Sequence, residues 1–153
     1  IPIKGLIPGV AVHFAKCCYP LLGDRIVGII TTGKGVTIHT IDCDTLASFA
    51  DTPERWIDVT WDSMGENSEH RVARIKVVLV NEPGSLSELT TAIAKNGANI
   101  SNLKITNRTI DFFDILVDVE VRGRRHFANM MATLRAIPGI NSVERVRGQE
   151  DLG

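Results

Sequence analysis

The sequence predicts an α+β fold in two units: a small α+β module followed by a ferredoxin-like βαββαβ domain. Three observations predict it. Residues 72–121 contain runs of apolar–polar alternation rich in β-branched side chains, which is strand patterning. Two further stretches repeat their apolar residues at helical spacing. Between the units, DSMGENSEHR at 62–71 is polar and aperiodic, the composition of a seam. We expect the first module at 5–62, a linker at 63–71 and the second domain at 72–148. With 153 residues and 44% hydrophobic content, both units can bury a core.

The second unit carries the clearer pattern. VARIKVVLV at 72–80 sets Ala73, Ile75, Val77 and Leu79 on one face of a strand. Asn81-Glu82-Pro83-Gly84 ends it, because Pro83 has no amide for a ladder. Ser85 and Glu88 have the spacing of a capping box for a helix over Leu86, Leu89 and Ile93, and Asn96-Gly97 is its expected left-handed stop. A second strand is expected at about 100–107 with Ser101, Leu103 and Ile105 on one face. After the turn at Asn107-Arg108-Thr109, a third alternates Phe113, Ile115, Val117, Val119 and Val121 against Asp114, Asp118 and Glu120, one face buried and the other wet. Phe127, Met130, Met131 and Leu134 mark a second amphipathic helix, with the methionines as core filler; Ile137-Pro138-Gly139 ends it before a last strand at about 140–147. This order is the split βαβ plan, an antiparallel sheet with both helices on one face.

The first unit is sparser. It reads as a loop with Cys17-Cys18-Tyr19-Pro20, strands near 26–31 and 36–39 around a Gly33-Lys34-Gly35 turn, a short helix over 43–50 and a strand through 56–61. So little core for some sixty residues is often supplemented by a metal or a neighbour. Cys17, Cys18, His39 and Cys43 are soft or borderline ligands whose donor types suit tetrahedral zinc, with His13 as a spare. Adjacent cysteines depart from the usual C-x-x-C spacing, so the residues alone favour reduced, inert thiols beside a hydrogen-bonded His over a metal site. A Cys17–His39 nucleophile lacks an orienting third group.

Formal net charge is −1, so no global field draws the chain to nucleic acid or anionic lipid. Local contacts by Lys16, Arg25 and Lys34, or by Arg122, Arg124 and Arg125, remain open. Three cysteines, two of them adjacent, argue against a secreted disulfide framework. With no apolar run of bilayer length and no signal peptide pattern, no membrane contact and a cytoplasmic location are expected. The start at Ile1 rather than Met is expected of a piece of something longer.

The strand–helix mouth at 81–86 is where these residues offer chemistry. Gly84 removes a side chain where the first helical amides point outward, and the positive helix end suits a carboxylate. Asn81 and Asn99 can offer oxygens to an ammonium group, while Leu86 and Ile100 offer an apolar wall. A sharp turn without a ligand uses the same residues, so the turn alone leaves both readings open.

Two resemblances sharpen this. Strand, NEPGSL, capped helix, NGANIS, strand resembles an ACT domain across 72–148, with Asn81, Glu82, Pro83, Gly84, Ser85 and Leu86 as one diagnostic stretch and Asn99, Ile100 and Ser101 within another. ACT domains are regulatory modules that bind amino acids or similar ligands, usually where two copies meet edge to edge. The resemblance thus implies a homodimer and a small amino-acid ligand, for which we favour a branched-chain one. One methylene is worth about 0.8 kcal/mol, about fourfold in affinity, so Val, Ile and Leu are not ranked. The open sheet edges point to the same pairing.

AKCCYPLLGDRIVGIITTGKGVTIHTIDCDTL closely resembles the C-terminal region of long RelA/SpoT homologues, the bacterial enzymes that make and hydrolyse (p)ppGpp in the stringent response. There this unit, described as a zinc-finger or ribosome-inter-subunit module, precedes an ACT domain. The resemblance implies zinc at Cys17, Cys18, His39 and Cys43, contact with ribosomal RNA, and catalytic domains upstream; no hydrolase or synthetase motif is present here, so the fragment is expected to be catalytically inert. Thr40 departs from the Arg that commonly follows that His, which puts one basic contact in doubt. A dimerising, ribosome-docking module without ligand sensing is the alternative function.

Overall fold

The computed structural model describes residues 3–33, 35–62 and 71–146. In the first module, β1 (Ile3–Lys4) and β2 (Val12–Phe14) precede β3 (Ile26–Thr31) and β4 (Gly35–Thr40), the expected hairpin. Lys34 lies outside the described residues. A 3-10 helix at Asp44–Phe49 replaces the expected short helix, and a 3-10 turn follows at Pro53–Arg55. The single strand expected at 56–61 is two: β5 (Trp56–Ile57) pairs with β3, and β6 (Thr60–Trp61) pairs with β1. The sheet order is β2-β4-β3-β5, and β2 runs parallel to β4, a non-local pairing that sequence periodicity did not register.

The second unit consists of β7 (Arg71–Val80), α1 (Ser85–Lys95), β8 (Asn99–Arg108), β9 (Phe112–Val121), α2 (Arg124–Arg135) and β10 (Ile140–Arg145). Its sheet order is β10-β7-β9-β8 with every pair antiparallel, the ferredoxin-like plan. Ala73, Ile75, Val77 and Leu79 of β7 join Ile115, Val117, Val119 and Val121 of β9 in one core with Leu89 and Ile93 of α1 and Phe127, Met130, Met131 and Leu134 of α2. Each large aliphatic side chain buried there contributes about 1.5–3 kcal/mol over exposure. Most of the expected linker, 63–70, lies outside the described residues, and Arg71 is already in strand.

Three local expectations are corrected. The capping box does not form: the N-cap is Gly84, with φ 87°, no side chain caps the helix, and Ser85 is buried instead. Only glycine takes that left-handed position without strain, so the turn sets the helix start and Ser85 is carried inward. On β8 a register shift between Ile100 and Asn102 takes up Ser101 as an extra residue, so Ile100, not Ser101, shares the core face with Leu103. Finally, the far face of β9 is not simply wet. Leu116 and Asp118 are buried, and Asp118 holds Arg74 through contacts of 2.7 and 3.2 Å.

The last correction has a cause outside the unit: Arg74 also lies over the Tyr19 ring, and Arg71 over Phe14, both from the first module. Leu21 is fully buried within the second unit's core.

Candidate functional site

Two places carry chemistry, and the fold builds them differently. In the first module, the loop after β2 delivers Cys17 and Cys18, the end of β4 delivers His39, and the residue before the 3-10 helix delivers Cys43. All four are buried, and their ligand atoms lie within 4.8 Å of one another. Cys17 Sγ is 3.4 Å from Cys43 Sγ and 3.5 Å from His39 Nδ1, while Cys18 Sγ is 4.0 Å from Nδ1. The backbone N–H of Thr40 donates to Cys18 Sγ at 3.3 Å. Both adjacent thiols therefore reach the group without C-x-x-C spacing, carried on a loop and not a strand; this group can hold a metal ion. His13 does not join it: that residue is exposed on β2. Thr40 is buried, so the residue at that departure does not face solvent.

Burial pushes the Cys17 thiol up and the Cys18 thiol to about 12, and it lowers the His39 imidazole. Burial thus favours the uncharged forms of Cys17, Cys18 and His39. The pH dependence follows. A base whose folded-state pKa is depressed stabilises the fold above its unfolded value and loses that contribution on acidification. Metal-free protein, kept so by chelator, is expected to lose stability as pH falls below about 6.5 through His39, and again above about pH 9 as the unfolded chain sheds thiol protons. Urea midpoints read by Trp56 and Trp61 fluorescence check this; a flat profile from pH 5 to 7 contradicts it.

The second place is the mouth of α1. Gly84 is exposed, and a Cβ built on it meets no atom within 4 Å. Pro83 has no N–H, and the Ser85 N–H donates to Glu82 O. The amides of Leu86 and Ser87, in the first turn, are among those a helix leaves without an intrahelical acceptor. Asn81 donates its side-chain amide to Thr109 O and its backbone N–H to Asp111 O, so it pins the β8–β9 turn, while its side-chain oxygen has no partner among the described residues. Leu86 is 38% exposed, an apolar side chain facing out at the mouth while Leu89 and Ile93 of the same helix are buried.

The residues singled out here do not all meet within one chain. Val80 pairs with Phe112, whereas Asn99 pairs with Glu120, which in turn pairs with Val72. Residues 81–86 therefore stand at one end of the sheet and Asn99, Ile100 and Ser101 at the other, about 27 Å of strand apart. Asn99 donates to Glu120 and Ser101 to Asp118 O at that far end. The signal for this was in the sequence: a helix returning from the end of one strand must begin the next at the opposite end.

Of the basic groups, Lys16, Arg25, Arg122, Arg124 and Arg125 are exposed. Among the described residues no helix is long and apolar enough to cross a membrane.

Comparison with known proteins follows this division. Residues 1–62 match the RelA/SpoT RIS domain and residues 67–145 match the ACT domain. The GTP pyrophosphokinase rsh of Brucella ovis is 42% identical over 149 residues, 97% of this chain and 20% of that protein. The bifunctional (p)ppGpp synthase/hydrolase SpoT of Escherichia coli K12 is 35% identical over 147 residues, 96% of this chain and 20% of that protein. A crystal structure of the ACT domain from the GTP pyrophosphokinase of Chlorobium tepidum aligns with 50% of this chain and 97% of its own, at 25% identity and a TM-score of 0.44. The chain thus spans about a fifth of the length of these curated relatives. Two matched domains in tandem, each on one of the two sheeted units, leave one assignment: the chain belongs to the RelA/SpoT family and consists of its RIS domain joined to an ACT domain.

Proposed function

We propose that this chain is a cytoplasmic regulatory region of a (p)ppGpp synthetase/hydrolase, whose ACT domain binds a branched-chain amino acid in a cleft completed by a second copy. The observation that carries it is the open α1 mouth: a left-handed Gly84 with free space above it, first-turn amides, and an outward Leu86. A carboxylate suits the amides and an aliphatic side chain suits the leucine. The ammonium acceptors come from Asn99 and Ser101 of the other copy. Pairing two β8 edges antiparallel, about a two-fold axis normal to the sheet, sets residues 81–86 of one copy beside 99–101 of its partner. The ten residues of β8 form an edge with no strand beyond it among the described residues. A ligand of this kind alters the distant catalytic domains only through unequal affinity for two arrangements of the region.

In the RIS domain, Cys17, Cys18, His39 and Cys43 fit zinc. Tetrahedral bonds of about 2.3 Å to sulfur and 2.0–2.1 Å to nitrogen put ligand atoms about 3.6–3.8 Å apart, close to the 3.4, 3.5 and 4.0 Å found. Bound zinc supplies positive charge that keeps the thiols ionised and ties loop, strand and 3-10 helix together. The Thr40 N–H donates to the Cys18 sulfur, as a second-layer partner of a thiolate does. The role is structural. Exposed Lys16, Arg25 and Arg125 support a second reading in which the region docks on ribosomal RNA.

Calorimetry of the chain with valine, isoleucine, leucine and aspartate tests the sensor. Saturable heats are expected for one or more of the first three and none for aspartate. Flat heats for all four, with ribosome binding that weakens steeply in salt, leave docking without sensing.

A further inference from the structure

The two cysteines of the thiol cluster and the deepest contact between the modules belong to one short segment. Cys17 and Cys18 face His39 and Cys43; three residues on, Leu21 is fully buried in the ACT core among residues of β7, β9 and α2. Its neighbours fasten it. Leu22 O accepts the N–H of Arg124 at 2.8 Å, where α2 begins, and the Leu22 side chain packs on Gly123. Asp24, buried, accepts the Leu21 N–H at 2.8 Å and two contacts from Arg145 of β10 at 2.9 and 3.3 Å. Arg145 also donates to Tyr19 O at 3.0 Å, and Asp24 O accepts the indole N–H of Trp61 at 2.8 Å. Tyr19 takes a positive φ of 46°, uncommon for a large side chain, so the turn from cluster to core is held by its surroundings.

We propose that residues 17–24 form a joint that makes the thiol–imidazole cluster and the ACT core one cooperative unit, so that metal held at the cluster stabilises the amino-acid-binding domain. This rests on the zinc assignment above. The three residues from Cys18 to Leu21 leave no slack: an opening that releases Cys17 and Cys18 pulls on Leu21 and Asp24, and loss of that plug exposes the end of the ACT core. Occupancy at one module thereby changes the population of open states in the other.

The test is hydrogen exchange on the full chain, with zinc stoichiometry measured on the same samples by native mass spectrometry. With free zinc a hundredfold above its dissociation constant, amides of β7 and β9 that exchange through the shared opening are expected to slow about 100-fold. Asp24→Asn, which keeps an acceptor for the Leu21 N–H but removes the charge opposite Arg145, is expected to bind zinc and lose most of that slowing; Leu21→Val is a second, milder break. One zinc bound with β7 and β9 exchange unchanged overturns the joint and leaves the metal centre standing. No zinc bound overturns both.

Discussion

Asp24→Ala is expected to lower the stability of the chain by about 3–5 kcal/mol, on the order of 10 °C in melting temperature. The side chain is 5% exposed and the guanidinium it holds only 11%, so water cannot replace the lost partner. Among the described residues, truncation leaves the buried Arg145 charge with Tyr19 O and the Phe127 ring, beside a buried Nε that already has no acceptor, and it orphans the Leu21 N–H. An unpaired buried charge is far more costly than the intact pair is favourable. A compensated variant separates these effects: Asp24→Ala with Arg145→Met removes both charges and is expected to regain more than half of the loss. Urea unfolding of the three proteins reads the difference. A loss under 1 kcal/mol in Asp24→Ala means water reaches Arg145, and the contact between the modules is then looser than described.

What the sequence revealed and what it hid divide along the same line, between local pattern and long-range packing. The ACT unit was legible because its strands are long and its helices punctuated: Ala73, Ile75, Val77 and Leu79 alternate without interruption, and Phe127, Met130, Met131 and Leu134 keep helical spacing. Gly97 stops α1 with φ 76°, as the Asn-Gly pair predicts. The misreadings have physical causes. S-x-x-E at 85–88 matched a capping box, but the left-handed Gly84 takes the cap position and a buried Ser85 has no role at the surface. A bulge at Ser101 shifts the alternation by one, which a period-two rule cannot anticipate. Asp114, Asp118 and Glu120 look alike as outward carboxylates, yet only Asp118 is buried, because Arg74 and Tyr19 cover it. Of the two candidate sites, the thiol cluster was legible by residue type alone. The proposed cleft was not: its residues were named from turn and strand pattern, and their placement at opposite ends of one sheet, implicit in the strand–helix–strand order, became explicit with the strand register.

That register yields the second large effect. If residues 81–86 of one copy and 99–101 of another line each cleft, damage to either half is complementable in trans. Gly84→Val forces a β-branched side chain into a left-handed position and blocks the first-turn amides. Ser101→Tyr sets a ring at the exposed bulge. Each homodimer is expected to bind no valine. In an equimolar mixture, dissociated and reassociated, about half the dimers are mixed, and each mixed dimer carries one cleft with both lesions and one with neither. Binding should therefore return to about a quarter of the wild-type stoichiometry, with wild-type affinity. No other arrangement gives that fraction: a cleft built within one chain gives none, and simple weakening gives a changed affinity at full stoichiometry. Calorimetry supplies both numbers, and native mass spectrometry confirms that mixed dimers are present. Mixed dimers without any recovered binding, alongside a wild type that binds valine, would return the ligand to a site inside a single chain.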